Sequence, residues 1–261
     1  MDINLNHPIF FATALQILKK ILNNNKKISN YIFADRETLL GLEKYGEYGI
    51  IPWNNSINLG IITKNDIIIE LINNCLLDNL TITAHILKDF TKPFNYSNDN
   101  FRTVQVKLTL FDNLKKISFN NRSIISLDEL TKNINSMAFF NISISEENYI
   151  GIIKKYKLEI ELHKKIPKID IFLYDLNEKY YLKYNRNYGA TTKQQEESYL
   201  GIEFFIFKIK KIHQIEINTF INSNKYLLEL YGNDIFERNE NFNNTTDYIE
   251  KYNKEIKLYN L

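Results

Sequence analysis

Cysteine, proline and glycine are scarce in this sequence, and their scarcity excludes several classes of protein. The 261 residues include one cysteine, Cys75, together with four prolines and eight glycines. A single thiol cannot form an intramolecular disulfide, and it cannot build a cysteine-based zinc site. We therefore expect a protein of a reducing compartment, which predicts a cytoplasmic location.

Long apolar runs and a strong net charge are absent as well. No stretch approaches the roughly 18 continuous apolar residues of a membrane span. The N-terminus shows no basic segment followed by an apolar run, so no secretory leader is expected. The formal net charge is +2, which is too small to predict a nucleic-acid-binding surface. These features predict neither a membrane span nor a nucleic-acid partner.

What remains is the composition of a soluble globular chain that is long enough to bury a large core. Hydrophobic residues make up 44% of the sequence and charged residues 25%, as in ordinary soluble domains. No internal repeat and no glycine- or serine-rich linker divides the chain. We predict a single α+β domain over residues 1–261, with a mixed sheet flanked by helices. A divergent insertion is expected at about 78–150 and a C-terminal tail at 237–261.

Local sequence patterns predict the individual elements. Apolar residues at helical spacing, or helix-capping residues, indicate helices at 7–24, 36–44, 67–77, 222–232 and within 248–261. Apolar–polar alternation, or a short apolar run, indicates strands at 31–34, 57–61, 101–111, 149–164 and 169–175. Asp35 is the predicted N-cap of the helix at 36–44, and Gly232 is the predicted end of the helix at 222–232.

The clearest motif lies in residues 31–61, which contain the only tryptophan, Trp53. Its characteristic residues are Thr38-Leu39-Leu40-Gly41, Ile51-Pro52-Trp53, Ile57 and Leu59-Gly60-Ile61. Two further segments support it, the strand Ile169-Asp170-Ile171-Phe172 and the helix with Tyr226-Leu227 and Tyr231-Gly232. In their order and spacing these segments resemble the LicD/fukutin family of phosphotransferases. The resemblance implies a nucleotidyltransferase-like mixed sheet flanked by helices.

The resemblance is closer in the scaffold residues than in the chemical ones. The two aspartates of the family's metal-binding D-x-D motif fall on Ser56 and Asn58. The acidic residues that often precede them fall on Asn54 and Asn55, and the glycine before Thr38 is Glu37. The third acidic residue of the family is retained as Asp170, and the resemblance places it on the strand next to the one that carries Asn58. Its side chain is expected to contact Lys168, a backbone amide, or an amide of Asn54, Asn55 or Asn58.

Active members of the family transfer phosphocholine or a phosphopolyol from a CDP-type donor to a glycan, with Mg²⁺ or Mn²⁺ bound by the aspartates. Neutral amide and hydroxyl oxygens attract such a cation far less than carboxylates do. We therefore predict a catalytically impaired pseudo-transferase without a cofactor, which keeps the fold for binding or for a structural or regulatory role. The resemblance assigns the catalytic position to Asp170, with Ser56 and Asn58 as degenerate partners and Asp170 as a weak metal ligand at most. It assigns substrate-binding positions to Glu37, Thr38, Trp53, Asn54 and Asn55.

Two alternatives stay open. In one, the chain is an active Mg²⁺- or Mn²⁺-dependent phosphotransferase with a nucleotide-diphosphate donor and a glycan acceptor, and Glu37 or Asp35 supplies a relocated ligand. In the other, it is a structural component of a large DNA virus particle, found in the virion or the host cytoplasm. The heavy use of Asn, Ile and Lys is typical of AT-rich genomes, which include those of large DNA viruses, some protists and some low-GC bacteria.

A second candidate for ligand binding is the aromatic and basic segment from Tyr180 to Gly189. Tyrosine faces and cations of this kind can bind a nucleotide or a phosphosugar. The same pattern is also typical of a strand edge with exposed lysines, and this second interpretation is the commoner one.

Overall fold

The computed structural model describes residues 6–24, 26–62, 64–87, 101–108, 123–158, 165–176, 182–184, 199–200, 206–232, 235 and 245–259. Most of the segment 180–189 and the second half of the strand predicted at 149–164 lie outside these residues.

Eleven strands form one mixed sheet within the described residues. They are β1 Ile32–Ala34, β2 Ile57–Ile62, β3 Thr81–Leu87, β4 Phe101–Lys107, β5 Ser123–Ser126, β6 Met137–Ser143, β7 Lys168–Leu176, β8 Leu182–Tyr184, β9 Tyr199–Leu200, β10 Phe207–Ile212 and β11 Ile215–Phe220. Nine of them follow the order β10-β11-β1-β2-β7-β6-β3-β4-β5, and β8 pairs with β7 and β9. The pairs β1–β11, β2–β7 and β4–β5 are parallel, and the other pairs are antiparallel.

The described residues also form eight α-helices. They are α1 Pro8–Asn24, α2 Lys26–Ser29, α3 Arg36–Tyr45, α4 Asn65–Leu77, α5 Leu127–Lys132, α6 Glu146–Lys155, α7 Ser223–Tyr231 and α8 Thr245–Ile256. Short 3-10 turns occur at Gly46–Tyr48 and Ile134–Ser136. The architecture is therefore mixed α/β. The segment predicted to be an insertion, 78–150, contributes the strands β3–β6 to the common sheet.

The core is built from strand residues that alternate with polar ones. In β2 and β7, apolar residues at every second position are fully buried, and they are Ile57, Leu59, Ile61, Ile169 and Ile171. Residues between them, such as Asn58 and Asp170, point to the opposite face because side chains alternate along a strand. α1 lies against β6 and β7, and α4 lies against β3. One face of the central strands is thus apolar, and the other carries Asn58 and Asp170 together with the buried rings of Phe172 and Tyr174.

Most of the predicted elements are confirmed, but the strand predicted over 149–164 is wrong at 149–155. α1, α3, α4, α7 and α8 match the predicted helices, and β1, β2, β4 and β7 match predicted strands. The alternation over 149–164 predicted a strand, yet Glu146–Lys155 is a helix. Its Ser145 side chain caps Asn148 N at 3.2 Å, and lysines follow in the last turn. These end signals favour the helix, in which Tyr149 and Ile153, four residues apart, form the buried side.

Gly41, the last residue of the Thr38-Leu39-Leu40-Gly41 motif, allows a loop to approach α3 closely. A Cβ atom at this position would lie 1.9 Å from the carbonyl oxygen of Gly49. No side chain fits there without moving backbone, so the loop that begins at Gly46 is held directly against the helix. Gly60 is similar, since a Cβ atom there would lie 2.1 Å from the ring of Phe33.

The C-terminal helix α8 is docked on α1, α3 and the 3-10 turn at Gly46–Tyr48. Ile249, Tyr252 and Ile256 are its buried hydrophobic residues. No helix among the described residues is both long enough and apolar enough to cross a membrane.

His213 connects this helix to the β10–β11 hairpin. His213 and Gln214 have φ values of 45° and 70°, which suit a tight hairpin turn. The Nε2 atom of His213 lies 2.7 Å from Oδ1 of Asn253 on α8. Burial lowers the pKa of His213, and Lys257 lowers it further, while the Asn253 hydrogen bond and Glu47 raise it in part. The ring also packs edge-on against Tyr48.

We expect the protein to lose stability as the pH falls below the ordinary histidine pKa of 6.5. The pKa of His213 is lowered in the fold, and burial also lowers the pKa of His7, against a raising effect of Glu255. The unfolded chain therefore takes up more protons in this range, so the free energy of unfolding is highest above pH 6.5 and declines below it. Urea unfolding at pH 7.5 and 5.5 measures the decline.

The matched variant is His213→Gln, whose side chain can still donate to Asn253 but does not titrate. It should show a smaller decline between the two pH values than the unmodified protein. An equal decline in both proteins would rule out His213 as a source of the effect.

Candidate functional site

Asn58 and Asp170 lie side by side at the centre of the sheet. β2 and β7 are parallel neighbours, and Asn58 is in register with Asp170. Both side chains belong to the polar face of the sheet, and both residues are buried, with relative exposures of 7% and 9%. The neighbouring positions expected for these two residues are therefore confirmed.

Ser56 joins the two residues through its hydroxyl group. The Oγ atom lies 2.6 Å from Oδ2 of Asp170 and 2.9 Å from Oδ1 of Asn58. A hydroxyl has a single hydrogen and donates it to one acceptor at a time. The negative charge makes the carboxylate of Asp170 the stronger acceptor. Ser56 thus closes the space between the strands with a hydrogen bond at the position where the resemblance places a carboxylate.

The other carboxylate oxygen of Asp170 contacts an amide and an ammonium group. Oδ1 accepts a hydrogen bond from Nδ2 of Asn141 and lies 3.3 Å from Nζ of Lys168. The predicted contact with Lys168 is confirmed. The amide comes from Asn141, which the sequence did not indicate, and not from Asn58, whose Nδ2 atom donates to Glu37.

Asn141 continues a row of polar contacts across the sheet. Its Oδ1 atom lies 2.8 Å from Nε2 of His85 on β3, and Nδ1 of His85 lies 3.3 Å from the hydroxyl of Thr103 on β4. Since Asn141 donates its amide hydrogen to Asp170, its oxygen is the acceptor and His85 Nε2 carries a hydrogen. Asp170 is thereby connected to β6, β3 and β4.

A second row, of stacked rings, lies next to the polar one. The ring of His85 stacks on Phe139 with centroids 4.0 Å apart, and Phe139 stacks on Phe172 at 5.6 Å. The guanidinium carbon of Arg36 lies 4.1 Å from the Phe172 centroid. Arg36 has a φ of 48° at the first position of α3, an uncommon conformation for a residue with a side chain. The two rows fix the orientation of the polar face around Asp170.

Glu37 and Thr38 hold the start of α3 against β2. The Oγ1 atom of Thr38 accepts a hydrogen bond of 2.7 Å from Asn58 N, and a carboxylate oxygen of Glu37 accepts one from Asn58 Nδ2. Burial raises the pKa of Tyr231 above its ordinary value, and the nearby Glu37 adds to the rise. Glu37 and Thr38, both predicted to bind substrate, therefore both contact Asn58 of the protein itself.

Asp35 donates its backbone N to Asn58 O at 3.1 Å, but its side chain has other partners. Its carboxylate is fully buried and accepts hydrogen bonds from the hydroxyl of Tyr174 at 2.7 Å, from Tyr226, and from Arg36 N at 2.8 Å. The proposal that Asp35 supplies a relocated metal ligand does not fit this arrangement, because three donors already occupy its oxygens. Asp35 instead caps α3 and ties it to β7 and α7.

Trp53, Asn54 and Asn55 lie in the loop just before β2. Asn55 is exposed, and its Oδ1 atom accepts a hydrogen bond of 3.1 Å from Lys165. The backbone oxygen of Asn54 accepts one from the side chain of Asn6. Trp53 is half-buried. The three predicted positions thus form the rim of the site, with a lysine beside them.

The donor set around Ser56 does not fit a Mg²⁺ or Mn²⁺ centre. The described residues contain no cluster of three or more His, Cys, Asp or Glu side chains that could hold a metal ion. Ser56 and Asn58 are neutral, and the ammonium of Lys168 lies 3.3 Å from Asp170. Divalent cations of this kind need anionic oxygens, and a fixed positive charge at this distance opposes them.

No family model matches the chain, and no curated protein matches it. The contacts around Ser56, Asn58 and Asp170 are therefore the basis for the function proposed below.

Proposed function

We propose that this chain is a catalytically impaired relative of the LicD/fukutin phosphotransferases, which keeps a nucleotidyltransferase-like sheet for binding or for a structural or regulatory role. One observation carries the proposal. Asn58 and Asp170 are in register on parallel neighbouring strands, and Ser56 bridges them. These are the positions at which the resemblance expects three carboxylates around a divalent cation.

The hydrogen bonds at this position take over the structural part of the cation's role. A divalent cation would hold the two strands' side chains together by binding oxygens from both. Here Ser56 makes that connection at 2.6 Å, and Lys168 balances the charge of Asp170 at 3.3 Å. A buried carboxylate needs such partners to offset its desolvation. These contacts would hold the strands together without a cation, and the neutral side chains of Ser56 and Asn58 would bind one too weakly to neutralise charge on a diphosphate.

A second candidate is an active transferase with an altered metal site, and the position of Glu37 favours it. The Glu37 carboxylate contacts Asn58 Nδ2, so one carboxylate lies on each side of the Ser56–Asn58 pair. If Lys168 turned away, Glu37 and Asp170 could bind a cation between them. A nucleotide-diphosphate donor would then have a metal-dependent site.

Calorimetry separates the two candidates. We expect Mn²⁺ to leave the affinity of the protein for CDP-choline unchanged within about twofold, because neutral ligands gain little from the cation. A metal-dependent rise in affinity that Glu37→Gln removes would support the active transferase and overturn the pseudo-transferase. Asn55→Asp, which adds a carboxylate at the exposed rim, is the control for unspecific cation binding.

A further inference from the structure

A continuous set of hydrogen bonds connects α8 to the loop that precedes the candidate site. The side chain of Asn253 donates to the backbone oxygen of Ile50 at 2.9 Å. The hydroxyl of Tyr252 donates to the backbone oxygen of Asn6 at 2.7 Å. Asn6 in turn donates from its backbone N to Pro52 O at 3.1 Å and from its side chain to Asn54 O.

These contacts are buried and aimed at a short stretch of backbone. Asn253 has no exposed surface, and Tyr252 and Asn6 have relative exposures of 5% and 7%. Asn253 and Asn6 together bind three carbonyl groups of the Ile50–Asn54 loop, and Tyr252 acts on the loop only through the backbone oxygen of Asn6. Buried carbonyl groups are costly to leave without a donor, so the loop and the helix are stable together rather than separately.

The loop leads directly into the site. Ser56 and Asn58 follow Asn54 by two and four residues, and a turn bond from Asn54 N to Ile51 O at 3.1 Å fixes the last bend before them. Tyr252 and Asn253 donate to the backbone oxygens of Asn6 and Ile50, so their effect on the site must pass through the backbone.

We infer that α8 is the positioning element of the candidate site, and that the site has its described geometry only while α8 is docked on the Ile50–Asn54 loop. Asn6, Tyr252 and Asn253 are then positioning residues. That the loop leads into a functional site rests on the proposed function. That α8 controls the loop rests on the contacts alone. Whatever binds or releases α8 would thereby regulate the site.

The contacts of Asn253 make its orientation specific. Its Nδ2 atom also donates to Ile249 O at 2.8 Å, and its Oδ1 atom lies 2.7 Å from His213 Nε2. Asn253 therefore joins the loop, its own helix and the β10–β11 hairpin. Replacing Asn253 should remove the hydrogen bond to Ile50 O, while the β10–β11 hairpin keeps its strand pairing.

The only tryptophan of the chain, Trp53, lies in the Ile50–Asn54 loop, so its fluorescence reports on that loop directly. We expect Tyr252→Phe and Asn253→Ala to raise the acrylamide quenching constant of Trp53 about twofold or more, because each lost hydrogen bond shifts a local equilibrium by about two- to tenfold. Far-UV circular dichroism should stay unchanged. The exposed residue on the same helix, Lys251, gives the control Lys251→Ala.

General destabilisation is tested by Ile72→Val, in the buried face of α4, which should shift the unfolding equilibrium by a similar factor of about two- to tenfold. If Ile72→Val raises the quenching constant as much as Tyr252→Phe does, or if Tyr252→Phe and Asn253→Ala leave it unchanged, the loop is not controlled by α8 and the inference fails.

A second readout tests the site itself. In a protein carrying Ser56→Asp and Asn58→Asp, we expect the addition of Tyr252→Phe to lower Mn²⁺ affinity about two- to tenfold, while Lys251→Ala leaves it unchanged. An unchanged affinity with Tyr252→Phe overturns the inference. If the double aspartate variant binds no Mn²⁺ but Trp53 quenching responds as expected, the proposed function fails and the control of the loop stands.

Discussion

Asp35→Ala is expected to lower the free energy of unfolding by about 3–5 kcal/mol, as the loss of one member of a buried charged network typically does. The carboxylate is fully buried and binds the hydroxyls of Tyr174 and Tyr226 and the backbone N of Arg36. Alanine would remove the N-cap of α3, and both tyrosines would lose a shared acceptor inside the core. The Nε atom of Arg36, 3.8 Å from Oδ2 of Asp35, would lose this ion pair.

Urea unfolding followed by Trp53 fluorescence measures this effect. Asp35→Asn keeps a capping oxygen but introduces two donors, and it should fall between alanine and the unmodified protein. The control is Asp128→Ala, which removes an exposed carboxylate from the first turn of α5 and should cost only about 0.3–1 kcal/mol. Equal stabilities of Asp35→Ala and Asp128→Ala would show that the Asp35 network contributes little.

The double variant Ser56→Asp with Asn58→Asp is expected to bind Mn²⁺ at least about 100-fold more tightly than the unmodified protein, since each added carboxylate contributes a few kcal/mol near the cation. Both side chains lie beside Asp170 on the polar face of the sheet. Lys168 opposes the cation from 3.3 Å. Adding Lys168→Met should therefore raise the affinity further.

The same variant should show a characteristic dependence of stability on the metal. Without Mn²⁺, the new carboxylates face Asp170 and Glu37, and like charges at such distances lower the melting temperature. Saturating Mn²⁺ should restore it, because a ligand that binds only the folded state stabilises that state. Calorimetric titration and thermal unfolding give the two measurements.

The charge-matched control is Asn54→Asp with Asn55→Asp, which adds the same two carboxylates at the rim. If both double variants bind Mn²⁺ equally, the Ser56, Asn58 and Asp170 positions do not form a latent metal site, and the ancestry proposed for this chain loses its main support.

The elements around the site could be predicted because their signals are local. Alternation of Ile57, Leu59 and Ile61 with small or polar residues marks β2, and the apolar residues on either side of Asp170 mark β7. The parallel register that brings Asn58 next to Asp170 follows from neither pattern. Only the neighbouring position of the two strands was expected, through the resemblance, and the structure shows them paired in parallel with Asn58 opposite Asp170.

The partners of Asp170 show where prediction from sequence ends. Lys168 is two residues away on the same strand and could be named as a partner. Asn141 lies 29 residues away on β6, and nothing in its own neighbourhood indicates which strand pairs with β7. The contact of His85 could not be predicted for the same reason, because β3 reaches the site through its pairing with β6. Contacts made across antiparallel neighbours depend on the whole sheet order.

The helix at Glu146–Lys155 shows a different limit. Tyr149, Gly151 and Ile153 alternate with other residues as they would in a strand, but Tyr149 and Ile153 are also four residues apart, as on one side of a helix. Short apolar patterns satisfy both periods. The capping serine and the charges at the helix ends decide between them, and these were the more informative signals here.

The position of β1 has a consequence for the synthesis of the protein. β1 lies between β2, which follows it closely, and β11, which lies about 180 residues later and pairs Asn218 with Phe33. On the ribosome, a nascent chain would display one edge of β1 without its neighbour until residue 220 has left the exit tunnel. Unpaired strand edges of this kind invite association with other chains. A message interrupted before the codon for Ile215 would therefore yield a product that depends on chaperones and proteases for its removal.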